Sequence, residues 1–108
     1  MCDPMQAVFK ALADTHRRQL LDRLCVQDGQ TLNELCEEMA MSRQAVTKHL
    51  SLLEQANLVV SVQRGRFKHH YLNAVPLQEI VDRWVDKYRQ READALLTLK
   101  QQVEVSND

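Results

Sequence analysis

The chain has 108 residues, enough for one domain with a modest core and too few for two folded units. It has no apolar stretch of the roughly 20 residues that a membrane-crossing helix needs, and Met1-Cys2-Asp3-Pro4 lacks the features of a signal peptide. We therefore expect a cytoplasmic protein without membrane partners, whose cysteines are reduced thiols. The charges nearly cancel, with 14 Lys and Arg against 15 Asp and Glu, so total charge identifies no partner.

Two helices are predicted before residue 30. Asp3 and Pro4 suit a helix start, and the first helix should end near Ala13. Asp14 or Thr15 can cap the second helix, which should end at Gln27-Asp28-Gly29. In the second helix the predicted inward stripe is Leu20, Leu21, Leu24 and Cys25, and the predicted solvent-facing set is Arg17, Arg18, Asp22 and Arg23.

Residues 31–56 have the pattern of a helix-turn-helix. Thr31 and Glu34 have the spacing of a capping box, which fixes the start of a third helix. After a small-residue turn at Ala40-Met41-Ser42, Ser42 is a favoured N-cap for a fourth helix. That helix should bury Val46, Leu50 and Leu53 along one side.

The other side of the fourth helix carries side chains suited to DNA. Arginine can pair with guanine, glutamine with adenine, and threonine with a base or its methyl group, while lysine and serine suit phosphate oxygens. The residues concerned are Arg43, Gln44, Thr47, Lys48 and Ser51, and Ser42 helps to position the backbone. An ordinary exposed helix face would explain this polarity, but not the absence of any acid from Arg43 to Leu53.

A β-hairpin is predicted at residues 58–73, which we call the wing. The apolar segment 58–62 and the partly aromatic segment 67–72 are typical of strands, and Gly65 suits the tight turn between them. The basic residues at the tip and side of the wing are Arg64, Arg66 and Lys68. They can contact the DNA backbone or minor groove, or they can be edge-strand charges that discourage aggregation.

Charge is segregated along the chain. Between residues 42 and 70 there are five Lys and Arg and a single carboxylate, Glu54, so the rest of the chain is acidic. A solvated basic surface alone would also give this distribution, but combined with the helix-turn-helix it indicates a face built for double-stranded DNA.

Apolar residues recur at helical spacing from residue 76 to residue 103. They are Leu77, Ile80, Val81, Trp84, Val85, Tyr88, Ala95, Leu96, Leu99 and Val103. This stripe is longer than so small a core requires. The helix should pair with a second copy of the chain, the alternative being that it folds back on its own domain.

Three segments resemble the ArsR family of bacterial winged helix-turn-helix repressors. They are Leu12-Ala13-Asp14-Thr15-His16-Arg17, Lys48-His49-Leu50, and Leu53-Glu54-Gln55-Ala56-Asn57-Leu58-Val59. The family usually has glycine at the position of Asn57, and asparagine also tolerates the left-handed conformation expected there. The resemblance extends over nearly the full length.

This resemblance implies a mainly α fold of about five helices with a two-stranded wing, forming one DNA-binding domain over residues 1–108. It further implies a homodimer that represses transcription at an inverted-repeat operator until a signal weakens the complex. In the family the first and last helices form the dimer interface, here residues 1–13 and 76–103. The interface residues would include Phe9, Leu77, Val81, Trp84 and Tyr88.

The metal motifs of the family are not recognisable in this sequence. One family motif is a Cys-x-Cys pair on the third helix, but here Cys36 has no second thiol at that spacing. Another motif uses Asp and His pairs on the last helix, but no histidine follows Tyr71 in this chain. His69 and His70 should point to opposite faces of a strand, while His16 and His49 suit helix packing or phosphate contact. We expect no cofactor and no metal, with a thiol- or metal-responsive sensor using Cys2, Cys25 or Cys36 as an alternative.

The alternatives to a DNA-binding regulator are a protein-interaction module and an enzyme. A winged helix can also be a protein-interaction module whose basic face docks an acidic partner. Preference for a palindromic duplex over a random one would distinguish DNA binding from protein binding. An enzyme is not expected, because the chain has two glycines and no nucleophile and base at an activating spacing.

Overall fold

The computed structural model describes residues 3–106 and contains five helices and one antiparallel sheet. The elements in chain order are α1 (Pro4–Leu12), α2 (Thr15–Val26), β1 (Gln30–Thr31), α3 (Leu32–Glu38), α4 (Arg43–Gln55), β2 (Val59–Arg64), β3 (Phe67–Leu72) and α5 (Val75–Ser106). The predicted helices and the wing hairpin are confirmed. The chain divides into two compact units, one up to Leu77 and one from Gln78 onwards.

The first unit contains an apolar core to which α2, α3, α4 and the residues after α4 contribute. Its largest fully buried side chains are Leu20, Leu24, Leu35, Val46, Leu53 and Leu58. Because α4 supplies two of these, its orientation is fixed by the core, and its opposite face is presented to solvent.

The helix starts agree with the sequence. The Asp14 carboxylate accepts hydrogen bonds from the backbone N–H groups of His16 and Arg17 at 2.7 and 3.3 Å. The capping box of Thr31 and Glu34 is present in both directions. These side chains satisfy amides that would otherwise lack partners at the ends of α2 and α3.

The sheet has a third strand that the sequence did not predict. Strand β1 pairs with β3, giving the order β1-β3-β2, with Gln30 opposite His70 and Thr31 opposite His69. The Nδ1 atoms of His69 and His70 lie 2.9 and 3.0 Å from the carbonyl oxygens of Gly29 and Gln30. A two-residue strand is too short for any sequence periodicity, so only its pairing with β3 defines it.

Two predictions on α2 are wrong. Cys25, expected in the buried stripe, is exposed, whereas Arg17, expected in solvent, keeps only 12% of its side chain exposed. Successive residues of a helix are about 100° apart, which places Arg17 on the face of Leu20 and Leu24 and Cys25 towards its edge. Of the other cysteines, Cys36 is half-buried, and Cys2 lies outside the described residues.

The connection from α4 to the wing depends on a left-handed residue. Asn57 has φ of 61°, and the next amide, that of Leu58, donates to the carbonyl of Leu53 at 2.9 Å. Asparagine is among the few residues other than glycine that adopt this conformation readily, as expected from the sequence. Gly65, with φ of 62°, makes the tight turn between β2 and β3.

The second unit consists of α5 from Gln78 onwards. Several of its large apolar side chains are exposed, among them Val81, Tyr88, Leu96, Leu97 and Leu99. Within residues 3–106, no helix is both long and apolar enough to span a membrane.

Candidate nucleic-acid interface

The outward face of α4 is a continuous polar surface. Val46, Leu50 and Leu53 are buried on the inner side of the helix. The side chains proposed from the sequence to contact DNA are all exposed, namely Arg43, Gln44, Thr47, Lys48 and Ser51. The structure therefore brings the five predicted α4 side chains together on one face of the helix.

Three residues near the start of α4 already have hydrogen-bond partners within the protein. Ser42 is the N-cap, and its Oγ accepts from the backbone amide of Ala45 at 3.1 Å. The Thr47 hydroxyl donates to the carbonyl of Arg43 at 2.8 Å, and the Arg43 guanidinium donates to Asn33 Oδ1. These contacts orient the helix start, where the helix dipole favours an anion.

A groove runs between α4 and the wing, and we call it the α4–wing groove. It encloses about 530 Å³. Its lining includes Asn33, Arg43, Thr47, Ser51, Arg66 and Lys68, together with the single acid Glu54. Two of the three predicted wing cations thus lie beside the predicted recognition residues.

Arg64 does not line the α4–wing groove. It pairs across the hairpin with Phe67, whereas Lys68 pairs with Gln63, so Arg64 and Lys68 belong to opposite faces of the sheet. The Arg64 guanidinium lies over the Tyr71 ring, 5.6 Å from its centroid. This distance is within the range of a cation–π interaction.

Arg17 links three helices at the back of α4, a role that is not predicted from the sequence. Its Nε and Nη2 donate to the carbonyls of Ala11 and Lys10 at 2.8 and 3.1 Å. Its Nη1 lies 3.3 Å from His49 Nδ1 and 3.9 Å from Asp14 Oδ2. The position of Arg17 on the apolar face of α2 could have indicated this role, because a buried arginine needs several hydrogen-bond acceptors.

The electrostatics around Arg17 alter two pKa values. Burial lowers the pKa of His49, and the charge of Arg17 acts in the same direction against the opposing effect of Asp14. Partial desolvation acts to raise the pKa of Asp14, but hydrogen bonds from the His16 and Arg17 amides and the charge of Arg17 lower it overall. At neutral pH, Asp14 is therefore ionised and His49 is uncharged.

The residues expected at a dimer interface are mostly accessible. In the first unit, Phe9 is 45% exposed and Leu77 is half-buried. In the second unit, Val81, Trp84 and Tyr88 are 50%, 46% and 62% exposed. Trp84 is also in contact with Arg83, whose guanidinium lies 5.9 Å from its ring centroid.

The order of α3, α4 and the β2–β3 hairpin is that of a winged helix-turn-helix, a class of DNA-binding protein. Residues 12–62 match the family model of a helix-turn-helix domain. The chain is 38% identical over 86 residues to the uncharacterised HTH-type transcriptional regulator YuzN of Bacillus subtilis (strain 168), covering 74% of this chain and 94% of that protein. It is 33% identical over 78 residues to the transcriptional repressor SdpR of the same organism, covering 72% and 86% of the two chains.

A solved structure extends this similarity to the fold. The ArsR-like transcriptional regulator from Rhodococcus sp. RHA1 superposes with a TM-score of 0.72 and 30% identity, covering 85% of this chain and 89% of that one. The chain belongs to the ArsR family of winged helix-turn-helix transcriptional regulators. It is therefore a DNA-binding regulator, as the sequence resemblance implied.

Proposed function

We propose that this protein is a homodimeric repressor that binds an inverted-repeat operator and leaves it in response to a signal. The observation that carries the proposal is the outward face of α4, where five exposed polar or basic side chains occur without a carboxylate between Arg43 and Leu53. The similarity to SdpR, a transcriptional repressor, supports repression as the direction of control.

In this proposal α4 enters the major groove. Residues at the start of a recognition helix reach base edges, so Arg43 and Gln44 are assigned to base contacts. Lys48 and Ser51, further along the exposed face, are assigned to phosphates. Thr47, on the same face of α4, is assigned to a contact between its methyl group and a base. Ser42 holds the start of the helix in position.

The wing supplies charge beside the helix. Arg66 and Lys68 line the α4–wing groove, so a phosphate next to the major groove can lie between them and the α4 side chains. Arg64 lies on the opposite face of the hairpin, and we assign it to general attraction of the backbone rather than to this groove.

A second copy of the chain is proposed as the partner of α5. Leu77, Val81, Trp84 and Tyr88 follow one another at spacings of four, three and four residues, which places them on one face of the helix. An isolated helix is marginally stable in water without packing of its apolar face. Two-fold pairing would also supply two recognition helices roughly 34 Å apart, which a two-fold operator requires.

The test is selection of bound duplexes from a random pool, followed by measurement of stoichiometry. We expect enrichment of an inverted repeat with half-sites about one helical turn apart, bound by two chains per duplex. Binding should weaken steeply with salt and exceed that to a scrambled duplex of equal length. A chain that remains monomeric, or that selects no sequence at low salt, would contradict the proposal.

A further inference from the structure

One carboxylate and two imidazoles come together where the start of α2 meets α4. Asp14, His16 and His49 each offer one ligand atom, and these atoms lie within 4.8 Å of one another. His49 comes from α4, 33 residues beyond His16, so folding alone creates the cluster. We propose that Asp14, His16 and His49 form a binding site for a divalent transition-metal ion such as Zn²⁺.

The donor set suits such an ion. Imidazole nitrogen and carboxylate oxygen are common zinc ligands, and three protein ligands suffice to hold zinc where water occupies the fourth position, as in catalytic zinc sites. Metal–ligand bonds near 2 Å require ligand atoms about 3.3 Å apart in a tetrahedron, so the cluster must contract. Asp14 Oδ1 and His16 Nδ1 are already 3.7 Å apart, and the His16 side chain is 52% exposed and can move towards His49.

Arg17 sets the strength of this site. Its Nη1 contacts both His49 and Asp14, and a guanidinium near the ion repels it. The other two donor nitrogens of Arg17 are held by the carbonyls of Ala11 and Lys10. Metal binding therefore replaces the Nη1 contacts without displacing the whole side chain, and we expect weaker binding than at a four-ligand structural zinc site.

An ion at this site would connect metal binding to DNA binding, an extension that rests on the proposed function. His49 follows Lys48 on α4, while Asp14 and His16 belong to the start of α2. A bridging ion constrains α4 relative to α2 and changes the contact between His49 and Arg17. Any resulting change in DNA affinity must be matched by an equal change in metal affinity.

The test is titration of the full-length chain with Co²⁺, followed by displacement with Zn²⁺, in a background where Cys2, Cys25 and Cys36 are replaced by serine. Asp14→Asn keeps a residue able to cap α2 while removing the carboxylate. His16→Gln removes an exposed imidazole. Asp22→Asn is the matched control, because Asp22 is an exposed carboxylate on the same helix.

We expect one equivalent of Co²⁺ to bind saturably, with visible d–d absorption that Zn²⁺ removes. Affinity should fall at least about tenfold in Asp14→Asn and His16→Gln, since each loses one of three donors, and should be unchanged in Asp22→Asn. Absence of saturable binding, or equal losses in all three variants, would overturn the site. This titration contains no DNA, so its result is independent of the proposed operator binding.

The connection to DNA is tested separately with the selected duplex. At a metal concentration that saturates the parent but not His16→Gln, metal should change DNA affinity in the cysteine-free parent and in Asp22→Asn, but not in His16→Gln. Saturable metal binding with unchanged DNA affinity in the parent would overturn the connection while supporting the site.

Discussion

The Arg17 guanidinium donates to His49 Nδ1 across 3.3 Å and thereby joins α2 to α4, the helix proposed to enter the major groove. The same side chain binds two carbonyl groups at the end of α1. The position of α4 is therefore set by a polar contact at its back as well as by its apolar core residues.

Arg17→Ala should destabilise the protein. The change leaves His49 Nδ1 and two carbonyl groups without this donor, and we expect a loss of roughly 2 kcal/mol in the free energy of unfolding. Urea denaturation followed by circular dichroism measures this. Arg18→Ala is the control, because Arg18 also donates to a carbonyl of α1, that of Leu12, but is exposed. Equal losses in the two variants would contradict a special role for Arg17.

Base and phosphate contacts on α4 should separate on substitution. Gln44→Ala should relax preference at one base pair, with a discrimination loss of about 1 to 3 kcal/mol at that position. Lys48→Ala and Arg66→Ala should weaken binding to all sequences alike and reduce the salt slope by about one unit each. Fluorescence anisotropy with point-mutated operators at several salt concentrations distinguishes these effects. If all three variants lost affinity and preference in the same way, the division of roles would be wrong.

A charge on the apolar face of α5 that carries Val81, Trp84 and Tyr88 should break the proposed dimer. Tyr88 is 62% exposed and lies on the face of Val81 and Trp84, so Tyr88→Glu would place a carboxylate in the interface. Gln90→Glu adds the same charge about 200° around the helix and should have no effect. Light scattering during size-exclusion chromatography measures the mass of each variant. If Tyr88→Glu and Gln90→Glu both remained dimeric, this face of α5 would not be the dimer interface.

Asn57 should be replaceable by glycine but not by alanine. With φ of 61°, alanine there should cost about 1 kcal/mol, whereas glycine adopts the conformation without strain. We expect Asn57→Gly to remain close to the parent in thermal unfolding and Asn57→Ala to unfold several degrees lower. Lower stability in the glycine variant would show that the Asn57 side chain, rather than its backbone conformation, matters.

Sequence predicted the features of this fold that depend on local chemistry. The caps at Asp14 and Ser42 and the capping box at Thr31 each follow from one side chain and its immediate neighbours. The left-handed conformation of Asn57 was implied by the resemblance, since the family usually has glycine at that position. The exposed face of α4 follows from helical periodicity.

The features that sequence missed depend on contacts between distant residues. Strand β1 exists because Gln30 and Thr31 pair with residues about 40 positions later, which no local pattern encodes. The meeting of His16 with His49 arises in the same way, through packing of α2 against α4. Sequence proximity groups Arg64 with Lys68, but the hairpin register puts them on opposite faces.

The two faces of α4 have different consequences for how regulators of this kind diversify. Val46, Leu50 and Leu53 maintain the fold, whereas Gln44 and Lys48 make no contribution to the buried core. Substitutions at the second pair can therefore accumulate at little cost to folding. If these side chains contact the operator as proposed, a gene duplicate could acquire a new target site by a few such changes, and a designer could retarget the protein while leaving its scaffold intact.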